Sequence, residues 1–523
     1  MKKIIALLMS LILMLGLCSC GTTETPSDGN ATTASSVTTT ASSVTTTASS
    51  VTTTATTAAT TTSTDTTVTT TTTTIVTTTT TAPITKATLN GVNLSEYVIV
   101  YDDEALDYVE RAAKYIHDEI LNRTGANLPV VLDSRSDAAA HEIVVGETDR
   151  PISAALNAET EGLEFAMVAK DGHIAMEGDY FIIAAAAYYF VETYITGKST
   201  AVPTKALVRE PIVKKANNYI LLIGDGMGEN HTMLPYGYNK EKMYTDAGTT
   251  NFTDGEDLFY GHLFPNAGYA RTHEVEEGVT DSAAAATALA TGYKTVNGRI
   301  GKDKDGNELK SLTELAGDLG MNTAVMSTEG QKGATIGGFS AHVDKRDMYD
   351  EILADQAALT EKYGTIIECG YDYYNRMGMW SLDQYIDDTL ESLSQGDKGF
   401  FMMYEEAYID KHSHNRERDE ATWAVYRFNQ AIARFMEYAF YNPDTMVIIT
   451  ADHETGGLSK MGNGYYYAHG DHTGKLVPIY AYGVGTEIFD GQTIENVQIP
   501  KTIAKMWGQS LAADTDSQYP PLG

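Results

Sequence analysis

A doubly wound α/β fold, with a mostly parallel sheet covered by helices, is predicted for the C-terminal part of this 523-residue chain. Three observations predict it. Apolar runs that read as strands alternate with helical runs from about Asn217 onward, the pattern of an α/β sheet. Those runs are nearly continuously hydrophobic, as expected when both faces of the sheet are covered. Residues with chemistry to perform follow the runs directly, at the strand ends where such sheets hold ligands. The runs are Tyr219–Ile223, Thr323–Met326, Phe400–Tyr404, Met446–Ile449 and Val477–Ala481. The large C-terminal domain is set at 217–523, preceded by a small α/β domain at 87–213 and a disordered Thr/Ser-rich stalk.

The N-terminus reads as an export signal over 1–19. Lys2 and Lys3 form its charged end, and Ile4 to Leu17 form an apolar core short for a membrane-spanning helix. Leu17-Cys18-Ser19-Cys20-Gly21 resembles a bacterial lipobox, which implies cleavage before Cys20 and a lipid anchor on its sulfur. Cleavage without lipidation is the alternative. Residues 20–86 are dominated by Thr, Ser and Ala. Ala34-Ser35-Ser36-Val37-Thr38-Thr39-Thr40 recurs at Ala41 and Ala48, with too few apolar positions for a coiled-coil seam. This stretch is expected to be disordered and open to O-glycosylation.

In 87–213, Tyr97–Tyr101 reads as a strand. Ala105 to Asn122 reads as an amphipathic helix through Leu106, Val109, Ala112, Ala113 and Ile116, stopped at Thr124-Gly125. Pro129–Leu132 and Glu142–Val145 are two further strands. Phe165–Ala169 and His173–Met176 flank Lys170-Asp171-Gly172, a hairpin signal. Tyr180 to Tyr194 reads as a buried helix. The segment is similar to the small α/β domain before the catalytic domain in some carbohydrate-active enzymes. That likeness carries no catalytic residue, so a spacer or interaction role is expected, with sugar binding as the alternative.

The formal charge of -33 argues against nucleic acid as a dedicated partner and against an anionic membrane surface. It leaves an anionic small molecule open, because bound cations can reverse the field locally. Of three cysteines only Cys369 lies in the folded part, so no internal disulfide forms there. Cys369 follows Ile366-Ile367-Glu368 and is expected to be a buried, inert thiol.

The site is read from five runs. Gly224-Asp225-Gly226-Met227-Gly228 follows the first strand of the large C-terminal domain. Thr280-Asp281-Ser282-Ala283-Ala284-Ala285-Ala286-Thr287 places a serine at the start of an alanine-rich helix. Glu405, Asp410 and His414 follow Phe400–Tyr404. Thr450-Ala451-Asp452-His453 follows Met446–Ile449, and His472-Thr473-Gly474 precedes the last strand. By itself Ser282 is equally a helix-cap neighbour or a nucleophile, since Asp and Ser are ordinary capping residues and helix N-termini also receive phosphate. Carboxylates converging on one rim would repel one another unless metal ions compensate them. Mixed Asp and His donors suit zinc, and an all-oxygen set suits magnesium.

These runs, in this order, resemble the alkaline phosphatase family over about Asn217 to Trp507. The resemblance implies two Zn2+, one Mg2+ and a phosphoserine intermediate. Asp410, His414 and His472 would hold one zinc. Asp225, Asp452, His453 and Ser282 would hold the other. Asp225, Thr335 and Glu405 would hold the magnesium. Arg346 would grip two phosphate oxygens, Asp281 would orient it, and Lys411 would help hold phosphate through water. Gly333 stands where the family often has Asp or His, which leaves the identity of the third ion open. His412 is read as a solvated neighbour rather than a ligand.

The expected activity is hydrolysis of phosphate monoesters by an enzyme at the outer face of a bacterial membrane, for phosphate scavenging. Family members are commonly homodimers, and the 87–213 segment could block or replace that surface. A phosphodiesterase is the alternative within the superfamily. Arg346 speaks against it, because only a monoester presents the second pair of free oxygens. A sulfatase lacks support, since no Pro and Arg follow Ser282. A surface-binding protein on an inactive phosphatase fold is the alternative from another class.

Overall fold

The computed structural model describes residues 87–156, 158–195, 201–234, 258–370, 379–462, 464–511 and 519–523. The export signal, Cys18, Cys20 and the Thr/Ser-rich stalk lie outside the described residues. Among the described residues no helix is long and apolar enough to cross a membrane.

The first segment contains β1 (Val98–Tyr101), α1 (Asp107–Thr124), β2 (Val130–Leu132), β3 (Glu142–Val145), β4 (Phe165–Lys170), β5 (His173–Glu177), α2 (Ile183–Tyr194) and β6 (Leu207–Arg209). Its sheet runs β2-β1-β3-β5-β4-β6, parallel as far as β5 and antiparallel beyond. α1 turns Ala112, Ala113, Ile116 and Ile120 inward and ends at Gly125, whose φ of 76° provides the left-handed cap. The β4–β5 turn places Asp171 and Gly172 at φ 52° and 88°, the sign pattern that twists with the strands. Only Ile183–Tyr194 of the expected helix is α-helical; Tyr180–Ile182 is a 3-10 turn.

The second segment contains β7 (Asn218–Gly224), β8 (Asn266–Arg271), α3 (Ser282–Thr291), α4 (Leu312–Asp318), β9 (Asn322–Ser327), α5 (Ala334–Gly338), α6 (Tyr349–Tyr363), β10 (Ile366–Cys369), α7 (Met379–Leu393), β11 (Phe400–Glu406), α8 (Tyr408–His414), α9 (Arg418–Tyr441), β12 (Thr445–Thr450), β13 (Glu454–Thr455), β14 (Ser459–Met461), β15 (Gly464–Tyr466), β16 (His472–Thr473), β17 (Val477–Tyr482), β18 (Thr493–Glu495) and α10 (Gln498–Met506). The large sheet runs β10-β9-β11-β7-β12-β17-β8-β18. Its first five strands are parallel, whereas β17 is antiparallel to both neighbours. The strands legible as apolar runs are central and buried throughout: β7, β11, β12 and β17 show no exposed residue. The strands without such runs, β8, β10 and β18, lie towards the two edges and are only partly buried, so their sequences need not be continuously apolar.

One hydrophobic core runs through both sheets. Phe181 packs at 5.0 Å from Tyr260 and 5.8 Å from Phe440, measured between ring centres. Arg111 of α1 forms a two-pronged pair with Glu437 of α9, at 2.8 and 2.9 Å. The first segment is thus packed against the second.

Candidate active site

Three parallel strands at the centre of the large sheet deliver the site. β7 ends into Asp225, β11 carries Glu405 and passes into α8 with Asp410 and His414, and β12 ends into Asp452 and His453. β17 runs the other way, so the residues before it reach the same edge, which is how His472 joins them. Ser282 is the first residue of α3 and is buried.

Two groups of donors form. Asp410, His414 and His472 bring their ligand atoms within 4.8 Å of one another, as do Asp225, Asp452 and His453. His414 Nε2 is 3.2 Å from Asp410 Oδ2 and 3.0 Å from His472 Nε2. The outer nitrogens face carbonyls: His414 Nδ1 donates to Gly470 O at 2.5 Å, and His472 Nδ1 to Thr280 O at 2.8 Å. Those bonds place a proton on each Nδ1 and leave the two Nε2 atoms facing each other beside a carboxylate, a place where a bound cation would take over from a proton. His453 Nε2 lies 3.2 Å from Asp452 Oδ2 and 3.5 Å from Asp225 Oδ1. Its ring stacks on His472 at 3.6 Å, which joins the two groups.

Burial leaves further oxygens unsatisfied. Asp225 Oδ1, Asp452 Oδ2, Glu405 Oε1 and Thr335 Oγ1 are enclosed without a hydrogen-bond partner. Orphaned buried carboxylates are costly unless protonated or compensated by positive charge. Their ionisation shows the same conflict. Asp225 is pushed well above the usual carboxylate range by burial and by Asp452, Asp410 and Glu405. Asp452 rises to about 7, mainly through burial, and Glu405 to about 8 through burial and the charge of Glu329. His453 falls to about 3 through burial and the neighbouring His472. His414 rises to about 9 because Asp410 accepts its proton. Two mixed nitrogen and oxygen groups and one oxygen-only pair at Thr335 and Glu405 therefore fit divalent cations.

Ser282 Oγ stands 3.2 Å from His453 Nε2. Asp281 is the N-cap of α3: its Oδ1 accepts from Ala284 N at 3.0 Å, while Oδ2 accepts from Gly298 N at 3.0 Å and from Arg346 Nη1 at 3.2 Å. Capping and holding the arginine are thus tasks of one carboxylate. Lys411 pairs with Glu329 Oε1 at 2.6 Å.

Two expectations are corrected. His412 is buried rather than solvated, because α8 packs on α9 and Glu417 Oε2 accepts from its Nδ1 at 2.9 Å. Cys369 is half-buried rather than fully buried, because β10 is the edge strand; burial and Glu368 still push its thiol up to about 11.

The sequence reading missed Glu329, two residues beyond β9, although a carboxylate just past a strand end was the signal used elsewhere. It also missed the supporting hydroxyl of Thr455, which donates to Asp410 Oδ1 at 2.5 Å, and the carbonyls of Thr280 and Gly470.

Residues 216–372 and 374–470 match the family described as Alkaline phosphatase. The chain is similar to Alkaline phosphatase 4 of Bacillus subtilis, at 28% identity over 351 residues, covering 56% of this chain and 73% of that protein. It is also similar to the alkaline phosphatase of Escherichia coli, at 25% identity over 361 residues, covering 50% of this chain and 74% of that one. Among solved structures, that of alkaline phosphatase from the Antarctic bacterium TAB5 is 28% identical, covers 56% of this chain and 98% of its own, and superposes with a TM-score of 0.48.

Proposed function

Since this chain belongs to the alkaline phosphatase family, a metal-dependent family of phosphatases, we propose that it hydrolyses phosphate monoesters through a phosphoserine formed on Ser282. The observation that carries this reading is the placement of the Ser282 hydroxyl at a helix start, 3.2 Å from His453 and next to the Asp281 that holds Arg346.

Asp410, His414 and His472 would hold one zinc ion, Asp225, Asp452, His453 and Ser282 a second, and Asp225, Thr335 and Glu405 a magnesium ion. When bound, these cations supply Lewis-acid stabilisation of the phosphoryl oxygens and an acidified water, with a pKa near roughly 7 for zinc. Ser282 Oγ gives up its proton and attacks phosphorus in line, and the bond to the ester oxygen breaks as the Oγ–P bond forms, the leaving oxygen taking up a proton to depart as the alcohol. Arg346 donates to two non-bridging oxygens, and Asp281 keeps its guanidinium aimed. The N-terminal turn of α3 adds N–H dipoles pointing at the same anion. Water then attacks the phosphoserine and returns Ser282 as the free hydroxyl. A monoester is favoured because its three non-bridging oxygens leave two for Arg346 when one faces the cations, whereas a diester has only two in all.

The signal-like N-terminus and Cys20 support a lipid-anchored place at the outer face of a bacterial membrane. The small 458–471 connection leaves little to shape a leaving group, which supports broad specificity and phosphate scavenging. A homodimer is consistent with the family.

The test compares aryl phosphate monoester and diester hydrolysis by protein loaded with zinc and magnesium, before and after chelation. Monoester hydrolysis that chelation abolishes and the ions restore is expected. A faster diesterase, or monoesterase activity indifferent to exhaustive chelation, would overturn the reading.

A further inference from the structure

Gly333 precedes α5 with an ordinary backbone, φ −60° and ψ 147°, so its conformation does not require glycine. What excludes a side chain is Glu329. A Cβ at position 333 would fall 2.5 Å from Glu329 Oε2. The carboxylate is anchored by Lys411, whose Nζ donates to Oε1 at 2.6 Å, and the Glu329 main chain is held by its backbone N–H donating to Ser327 Oγ at 2.9 Å. Ser327 in turn donates to Glu405 Oε2 at 2.5 Å, so one hydroxyl ties the Glu405 carboxylate to the backbone of Glu329. Beside them Glu405 Oε1 and Thr335 Oγ1 stay buried without partners.

We propose that Glu329 completes the third cation site of this protein, reaching from the end of β9 into the space that Gly333 leaves open, and there holds Lys411 away from the cation's oxygen donors. The proposal rests on the reading of Asp225, Thr335 and Glu405 as that site. The donor set is hard oxygen only, which selects magnesium or manganese over softer ions. Magnesium keeps several of its waters, and those waters need acceptors; an outer carboxylate supplies them. Lys411 is a resident competitor, since the charges of Asp225 and Glu405 act on its ammonium as well as that of Glu329. A carboxylate that pairs with Lys411 keeps that charge out of the cation's place. Glu329 is a positioning residue in this scheme, acting on the ion and on Lys411 rather than on the reacting atoms.

The test measures magnesium affinity by calorimetry and metal content by elemental analysis, on intact protein, for wild type, Glu329→Ala, Gly333→Asp with Glu329→Ala, and Glu405→Gln. Loss of about 10- to 100-fold in magnesium affinity is expected for Glu329→Ala, the usual scale for outer-sphere partners, with two zinc ions per chain retained. The double variant should recover most of that affinity, because an aspartate at 333 is free to enter the vacated space. Should Glu329→Ala fold poorly, Glu329→Gln serves: it keeps the shape and removes the charge. Unchanged affinity in the Glu329 variants beside a loss in Glu405→Gln overturns the proposal and leaves the site reading intact. Unchanged magnesium in Glu405→Gln overturns the site reading and the proposal with it. A loss in Glu329→Ala without recovery in the double variant overturns the claim that Glu329 stands in for a side chain at 333.

Discussion

Ser282 Oγ and His453 Nε2 are 3.2 Å apart across a sequence separation of 171 residues. The first sits at the start of α3 and the second just past β12, and neither position is free to drift. α3 is pinned by the Asp281 cap and by an alanine face that is buried all round. Asp452 and His453 are pinned because Asp452 Oδ1 accepts from both Gly226 N and His453 N, at 3.1 and 2.9 Å. A rigid approach of hydroxyl and imidazole is what the proposed phosphoryl transfer requires.

Ser282→Ala should remove the covalent phosphoprotein and lower kcat by on the order of 10³ or more, the scale seen when a nucleophile is deleted. The helix itself should persist, since alanine already fills its next four positions. Acid quenching during turnover followed by mass spectrometry reads the intermediate. Phosphate still trapped on the variant would show that the nucleophile is another residue.

The two tasks of Asp281 should separate. Asp281→Ala removes both the cap and the Arg346 partner, costing about 1 kcal/mol of stability and raising KM. Asp281→Asn keeps the capping oxygen but loses the acceptor for Gly298 N and the charge, so it should cost less stability than Asp281→Ala while KM for a monoester rises by up to about fivefold, the limit for a partly exposed pair. Thermal melts beside steady-state kinetics distinguish the two. Equal effects of both substitutions on stability would contradict the division.

His342 should make stability fall at alkaline pH. Its pKa is pushed up to about 9: burial pulls it down, but the nearby Glu314, at 3.3 Å, and the Gly301 carbonyl, at 2.9 Å, outweigh that. A raised folded pKa means the stabilisation is complete below the unfolded value of about 6.5 and is lost as pH rises through about 9. The Tm advantage of wild type over His342→Gln should therefore be largest near pH 6 and fade above pH 9. A constant or growing difference would remove the charge on His342 as the cause.

Phe181→Ala should destabilise the whole molecule by about 3–5 kcal/mol, because the ring is fully buried between Tyr260 and Phe440. Denaturation followed by circular dichroism should keep a single transition. Separate melting of the first segment would show that the shared core does not couple the two sheets.

Particular residues show how far the sequence could be read. Asp225, Asp452 and Asp410 were legible because a carboxylate after an apolar run is anomalous, and parallel strands leave only one rim for it. β8, β10 and β18 were not, since strands at or next to an edge bury too little to need an apolar run. His412 was misjudged because a histidine between two site residues gives no sign of which side of its helix is covered.

Composition and order along the chain determined the α/β class, the central strands, the α3 helix start at Ser282 and the sets of acids and imidazoles, because these follow from local periodicity and from chemistry that only a strand end can present. The tertiary structure alone decided what depends on distant segments meeting. The reversed direction of β17 brings His472 to the rim, the packing of Phe181 merges the two sheets into one core, and Glu329 fills the space beside Gly333. The first two join residues far apart in sequence, and the third depends on how one loop folds back on itself; local propensity carries no information about either.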